Sequence, residues 1–230
     1  LRKNDVVHDG DGPHRLPTFR DLVDRSAWTT MVQDGARVVC PPGHRLLSQG
    51  EPGGWVLLSV AGRVKVTYAA PDGRELLVAI RGPGDLIGEF AVRDGGPRSA
   101  TVRTIEPCIL SRIPPRRFGD LLRRLRLESA SDRYIVGKIR QSSAHAWRLA
   151  HGSVAERLAW LLRVVIDAAG PDHRSPNVVP MSQEEIATAL GLVRSAITPT
   201  LAAWRDAGVI RQGRGRIEVL DTAGLTAGAR

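Results

Sequence analysis

The chain is short of several residue types, and each shortage removes a class of function. Its 230 residues include two cysteines, Cys40 and Cys108, too few for a disulfide framework or a four-thiolate cluster. Each lies in a β-like apolar run, where a buried thiol is expected. A reducing cytoplasm is the expected compartment. No apolar run approaches the roughly 20 residues that span a bilayer, and the start lacks a signal-peptide pattern, so no membrane partner is expected. No nucleophile–base–orienter set and no metal-ligand cluster is evident, so neither a catalytic nor a metal site is expected. Lysine is scarce as well, 3 residues against 30 arginines, a bias in keeping with a GC-rich bacterial genome.

What remains is an ordinary soluble composition, 42% hydrophobic and 25% charged, with a formal net charge of +9. That excess suits a polyanionic partner. Its placement does not mark the nucleic-acid-binding end: residues 111–150 hold ten basic against three acidic side chains, residues 181–230 six against five. Motifs have to locate it.

Along the chain, residues 1–18 read as a loose polar arm. Leu22, Val23, Trp28 and Val32 are spaced to share one side of a short helix. From 36 to 113 the period changes. Short runs rich in Val, Leu and Ile alternate with PPG, PDG and GPGD turns, and glycines 43, 50, 62, 73 and 84 fall at turn positions. This predicts an antiparallel sandwich or roll. A helical pattern follows over roughly 116–150, in which Ile135, Ile139, Ser142, Ala146 and Leu149 recur at 4-3-4-3 spacing. That row serves either as a seam between two copies or as the inner face of a helix on its own roll. His151-Gly152 breaks the helix, and Ser153 to Glu156 forms a capping box that restarts it. Ser182 to Glu185 repeats the device, followed by an inward Ile186, Ala187 and Leu190, a turn at Gly191, and a second helix with Ile197, Leu201 and Trp204 on one face. The RQGRGRIEVL segment then reads as a hairpin carrying Arg211, Arg214 and Arg216. Helix, turn, helix and basic hairpin make a winged helix-turn-helix.

The most specific stretch is DLIGEFAVRDGGPRSATV, residues 85–102. Gly88 permits close backbone approach, Glu89 offers a carboxylate for sugar hydroxyls, and Arg98 brings a guanidinium fork suited to phosphate. Ser99 adds a hydroxyl, and Ala100 leaves its amide unobstructed. A ligand with one phosphate and a free ribose hydroxyl, a cyclic nucleotide, fits that set. The alternative is that Glu89 and Arg98 merely form an ion pair in a relic pocket.

This segment resembles the phosphate-binding cassette of cyclic-nucleotide-binding domains, G-E-x-A, a short loop, then P-R-S/T-A. With the downstream winged helix-turn-helix, the order of parts is similar to that of the Crp/Fnr family of bacterial transcription regulators over nearly 19–225. The resemblance implies an α+β fold: a roll over 19–115, a dimerisation helix over 116–151, and a winged helix-turn-helix domain over 152–230. It implies cAMP as allosteric ligand, with Glu89 on the ribose and Arg98 and Ser99 on the phosphate, helped by backbone near Gly88 and Ala100. Aligning VAERLAWLL with the family's post-hinge segment places Ser142 and Ser143 where hydroxyls touch adenine. Water or the i−4 carbonyl would satisfy them as well. The implied partners are a palindromic DNA operator, a second copy of the chain, and RNA polymerase.

For DNA the resemblance points to Ser182, Arg194, Ser195 and Thr198, with Arg211, Arg214 and Arg216 on the wing. The recognition helix departs from the family's S-R-E-T-V-x-R pattern, having Ser195 for an acidic base-reader and Pro199 for a second Arg. Pro199 lacks an amide, so the helix is expected to kink or to tolerate it near the first turn, and the usual half-site is not assumed. Two cysteines cannot hold the iron–sulfur cluster of oxygen-sensing relatives, and nothing singles out His44 or His145 as haem ligands. The alternative function is a ligand-independent DNA-binding factor, or one sensing another small molecule in a vestigial pocket.

Overall fold

The protein is described here by a computed structural model covering residues 17–227. Of the expected arm, residues 1–16 lie outside the described residues. A 3-10 turn at Arg20–Leu22 and helix α1 (Arg25–Asp34) lead into the roll.

The roll is two four-stranded antiparallel sheets. One has the order β1 (Ala36–Cys40), β8 (Cys108–Ile113), β3 (Val56–Ala61), β6 (Leu86–Ile87). The other runs β2 (Arg45–Leu47), β7 (Thr101–Thr104), β4 (Val64–Ala69), β5 (Glu75–Arg81). Period-two alternation sorts the side chains between layers. In β3, Leu57 faces the space between the sheets with Val64, Val102 and Leu110. Val56 and Leu58 point the other way, under Trp28, Met31 and Phe118. The turn glycines 43, 50, 62, 73 and 84 all adopt positive φ, as their spacing predicted.

The helical stretch expected over 116–151 is two helices, α3 (Pro115–Arg124) and α4 (Glu128–His151). The chain turns between them through Arg126, which adopts φ 55°. The seam also differs from expectation. Tyr134, Lys138 and His145 bury themselves on the roll side, and Leu149 packs on the core around the next helix. This turns Ile135 partly inward and exposes Val136 (45%), Ile139 (56%) and Trp147 (65%). The outward row is therefore Val136, Ile139, Ser143, Ala146 and Ala150, with the expected spacing on a neighbouring row. A 4-3 repeat fixes the period of a stripe, and the buried anchors choose its phase.

Both capping boxes form as predicted: Ser153 with Glu156 opens α5 (Val154–Asp167), and Ser182 with Glu185 opens α6 (Gln183–Ala189). Helix α7 (Arg194–Asp206) runs unbroken through Pro199. Strands β10 (Ile210–Gly213) and β11 (Arg216–Val219) make the wing, and β9 (Val178–Val179) pairs with β11. A short helix α8 (Gly224–Ala227) ends the described chain. Leu158, Leu161, Ile186, Leu201 and Trp204 form the core of this domain, which Leu77, Ile80 and Ile105 of the roll complete. Among the described residues no single helix is long and apolar enough to cross a membrane.

Candidate ligand pocket and nucleic-acid interface

Strand β6 is followed by Gly88, at φ 85°, which caps helix α2 (Glu89–Asp94). A Cβ on Gly88 would lie 2.5 Å from the Arg98 guanidinium. The glycine thus serves a positive φ and close passage of Arg98. Arg98 is buried and donates to the Gly88 carbonyl at 2.5 Å and the Trp55 carbonyl at 2.5 Å. Its guanidinium lies 5.9 Å from the centre of the Trp55 ring.

Glu89 is 3% exposed. Its Oε1 accepts from Lys138 Nζ of α4 at 2.7 Å. Lys138 also donates to the Leu86 carbonyl at 2.7 Å, and its ammonium lies 4.7 Å from the Tyr134 ring centre. Burial pulls the lysine below its ordinary pKa, against the attraction of Glu89. Behind it, the Tyr134 hydroxyl donates to Asp85 at 2.8 Å, and burial raises the phenol well above its usual range. Arg81 donates to Gln141 of α4 at 2.8 Å. These bonds pin α4 to the roll along the floor of a cavity of about 310 Å³. Gly88, Glu89, Arg98, Ser99 and Ala100 line it from the cassette, Val66 and Tyr68 from β4, and Lys138 and Ser142 from α4.

The cassette residues therefore converge as expected, and Ser142 joins them. Ser143 does not line the cavity. Each serine donates to the carbonyl four residues back, Ser142 to Lys138 and Ser143 to Ile139. Sequence reasoning missed Lys138 and Arg81. A signal for Lys138 existed: it is one of three lysines in an arginine-rich chain, one helical turn before Ser142. His145 is 5% exposed, stacks on Trp160 at 4.1 Å, and its Nε2 meets the Leu77 carbonyl at 2.8 Å, while Nδ1 has no partner.

In the C-terminal domain, Arg194, Ser195 and Thr198 are exposed on the N-terminal half of α7. Arg194 Nε donates to Gln183 at 3.3 Å, and the Thr198 hydroxyl to the Arg194 carbonyl at 2.9 Å. Pro199, sixth in the helix, costs the bond to the Ser195 carbonyl, which lies in the first turn. Ser182 is committed to the α6 cap. Arg211, Arg214 and Arg216 are exposed on the wing, where Arg211 pairs with Glu218 at 3.0 Å.

Residues 37–125 match the family of the cyclic nucleotide-binding domain, and residues 154–227 that of the Crp-like helix-turn-helix domain. The chain is 29% identical over 211 residues to a CRP-like cAMP-activated global transcriptional regulator of Mycobacterium tuberculosis, covering 90% of this chain and 94% of that protein. It is 28% identical over 189 residues to the cyclic AMP receptor protein of Thermus thermophilus, covering 81% and 85%. Among solved structures, a CRP-family transcriptional regulator from Thermus thermophilus superposes with a TM-score of 0.68 at 26% identity, covering 84% of this chain and 96% of that one.

Proposed function

The chain belongs to the Crp/Fnr family of bacterial transcription regulators, and on that premise we propose that it binds a palindromic operator as a homodimer under control of a cyclic nucleotide, cAMP before cGMP. The observation that carries this reading is that one cavity is walled by both the cassette and α4. A ligand there touches the roll and the helix whose opposite face, Val136, Ile139 and Ala146, is open for a twin. Its phosphate meets Arg98 and Ser99, and its ribose hydroxyl donates to Glu89, whose charge Lys138 balances. Two α7 helices in such a dimer would present Arg194, Ser195 and Thr198 to half-sites about one helical turn apart, with the wing arginines on phosphates. RNA polymerase is the machinery such a regulator would recruit or block. The two relatives described above, which match most of this chain, are regulators, and the reading assigns no catalysis to it.

A specific observation favours a second reading, a DNA-binding factor whose pocket is structural. Glu89 and Arg98 already hold intramolecular partners, so the cavity is stable without a ligand.

Calorimetry separates the two. Heat with cAMP, with the affinity weakened on the order of 30-fold or more in Arg98→Ala, supports nucleotide control, since losing a bidentate phosphate partner costs about 2–5 kcal/mol. Absence of heat and of thermal shift at millimolar cAMP and cGMP establishes the structural pocket.

A further inference from the structure

Arg63 sits in the turn between β3 and β4 and is 1% exposed. A guanidinium has five N–H donors, and each here has an acceptor. Nε and Nη2 donate to the two Glu106 oxygens at 2.8 and 2.7 Å. Nη1 donates to the carbonyls of Val165 at 3.0 Å and Pro176 at 3.3 Å, and Nη2 to that of Val178 at 2.9 Å. Glu106 belongs to the roll, in the β7–β8 turn. The three carbonyls belong to the DNA-binding domain. Val165 lies in the last turn of α5, whose carbonyls lack intrahelical donors and carry the negative end of the helix dipole.

His173, on the loop after α5, closes the far side of the carboxylate. Its Nδ1 accepts from the Ser175 amide at 3.1 Å, so the ring proton sits on Nε2 and is donated to Glu106 at 3.1 Å. Burial works to raise the Glu106 carboxyl, but Arg63 and His173 outweigh it and hold it lowered, hence ionised. Beside this cluster, Gly82 of the roll lies against the end of α5: a Cβ there would fall 1.8 Å from the Ala168 carbonyl.

We propose that Arg63 is the positioning residue of the DNA-binding domain, a latch that holds it on the roll of its own chain and that must open before the domain can reorient. The helix break at Gly152 controls only one end of α5. Gly152 itself has ordinary extended torsions, and its lack of a side chain serves instead to clear the Arg148 carbonyl, 2.7 Å from where a Cβ would sit. The far end of α5 is tied down by Arg63, so bending at Gly152 cannot swing the domain while the latch holds. Its use in nucleotide control rests on the function proposed above; the latch does not.

The test is a distance measurement between spin labels at Arg37→Cys on the roll and Ala203→Cys on α7, both exposed sites, with labelled chains diluted in unlabelled ones. Wild type should give one distance. Arg63→Met, which leaves Glu106 to His173, should add a second population without nucleotide, and Arg63→Lys, with fewer donors, an intermediate one. Gly82→Ala should do the same through a different contact, because its backbone is outside the left-handed region and only the Ala168 carbonyl objects. Amide exchange across 165–178 should rise at least tenfold in both, with β3 and β8 unchanged. If Arg63→Met also loosens β3 and β8, Gly82→Ala decides. A wild-type distance in both Arg63→Met and Gly82→Ala overturns the latch. Calorimetry on the same samples reports nucleotide binding separately, so a missing heat retires the nucleotide reading and leaves this comparison intact.

Discussion

Removing the Lys138 ammonium tests whether the pocket floor is an ion pair that organises the site. Lys138 and Glu89 meet at 2.7 Å, with side-chain exposures of 11% and 3%. At an effective dielectric near 20, unit charges so close attract by about 6 kcal/mol. Burying both ions costs several kcal/mol each, so the pair as a whole contributes little net stability. Lys138→Met breaks that balance. Glu89 would keep its desolvation and lose its partner, and the Leu86 carbonyl would lose a donor, a cost of about 3–5 kcal/mol for a sealed site. Glu89 lines the cavity, where water can reach it, so about 3 kcal/mol is expected. Replacing both, Lys138→Met with Glu89→Gln, removes the stranded charge and should recover about 2 kcal/mol. The assay is a double-mutant cycle by urea unfolding, followed by tryptophan fluorescence at one protomer concentration, because an oligomer's stability depends on it. A coupling energy below about 0.5 kcal/mol, with the single losses simply adding, would refute the argument that Lys138 exists to balance Glu89.

Three further outcomes follow from particular contacts. Ile139→Asp should dissociate the proposed dimer by placing an unpaired charge in its apolar seam, whereas Ile135→Asp should unsettle the fold first; an unchanged sedimentation coefficient for Ile139→Asp rejects the outward row. Burial lowers the His145 pKa below its ordinary 6.5, so the unfolded chain takes up the proton first and stability falls as pH drops through 6.5 toward the folded value. His145→Gln should flatten that fall in unfolding free energy between about pH 7 and 5, and an unaltered pH profile contradicts it. Arg214→Ala on the wing should weaken binding to all DNA sequences alike and reduce the salt slope of affinity by about 1, read by fluorescence anisotropy; an altered base preference instead would move Arg214 from phosphate to base contact.

Much of this protein is local chemistry that a sequence states outright. The cassette spacing, the turn glycines, the Ser153 and Ser182 capping boxes and the Gly191 turn depend on residues within a few positions of one another, and their geometry follows from torsional preference and short-range hydrogen bonds. Period-two and 4-3 stripes likewise announced strands and helices. What only the tertiary structure decided was phase and pairing across distance. The α4 stripe could face either way until Tyr134, Lys138 and His145 found Asp85, Glu89 and the Leu77 carbonyl, partners between 49 and 68 residues away. Arg63 is one of 30 arginines and sits in an ordinary turn. Its five acceptors come from segments 43 to 115 residues downstream, and a guanidinium's partners are set by which carbonyls the packed domains bring within about 3 Å, a quantity no local pattern encodes.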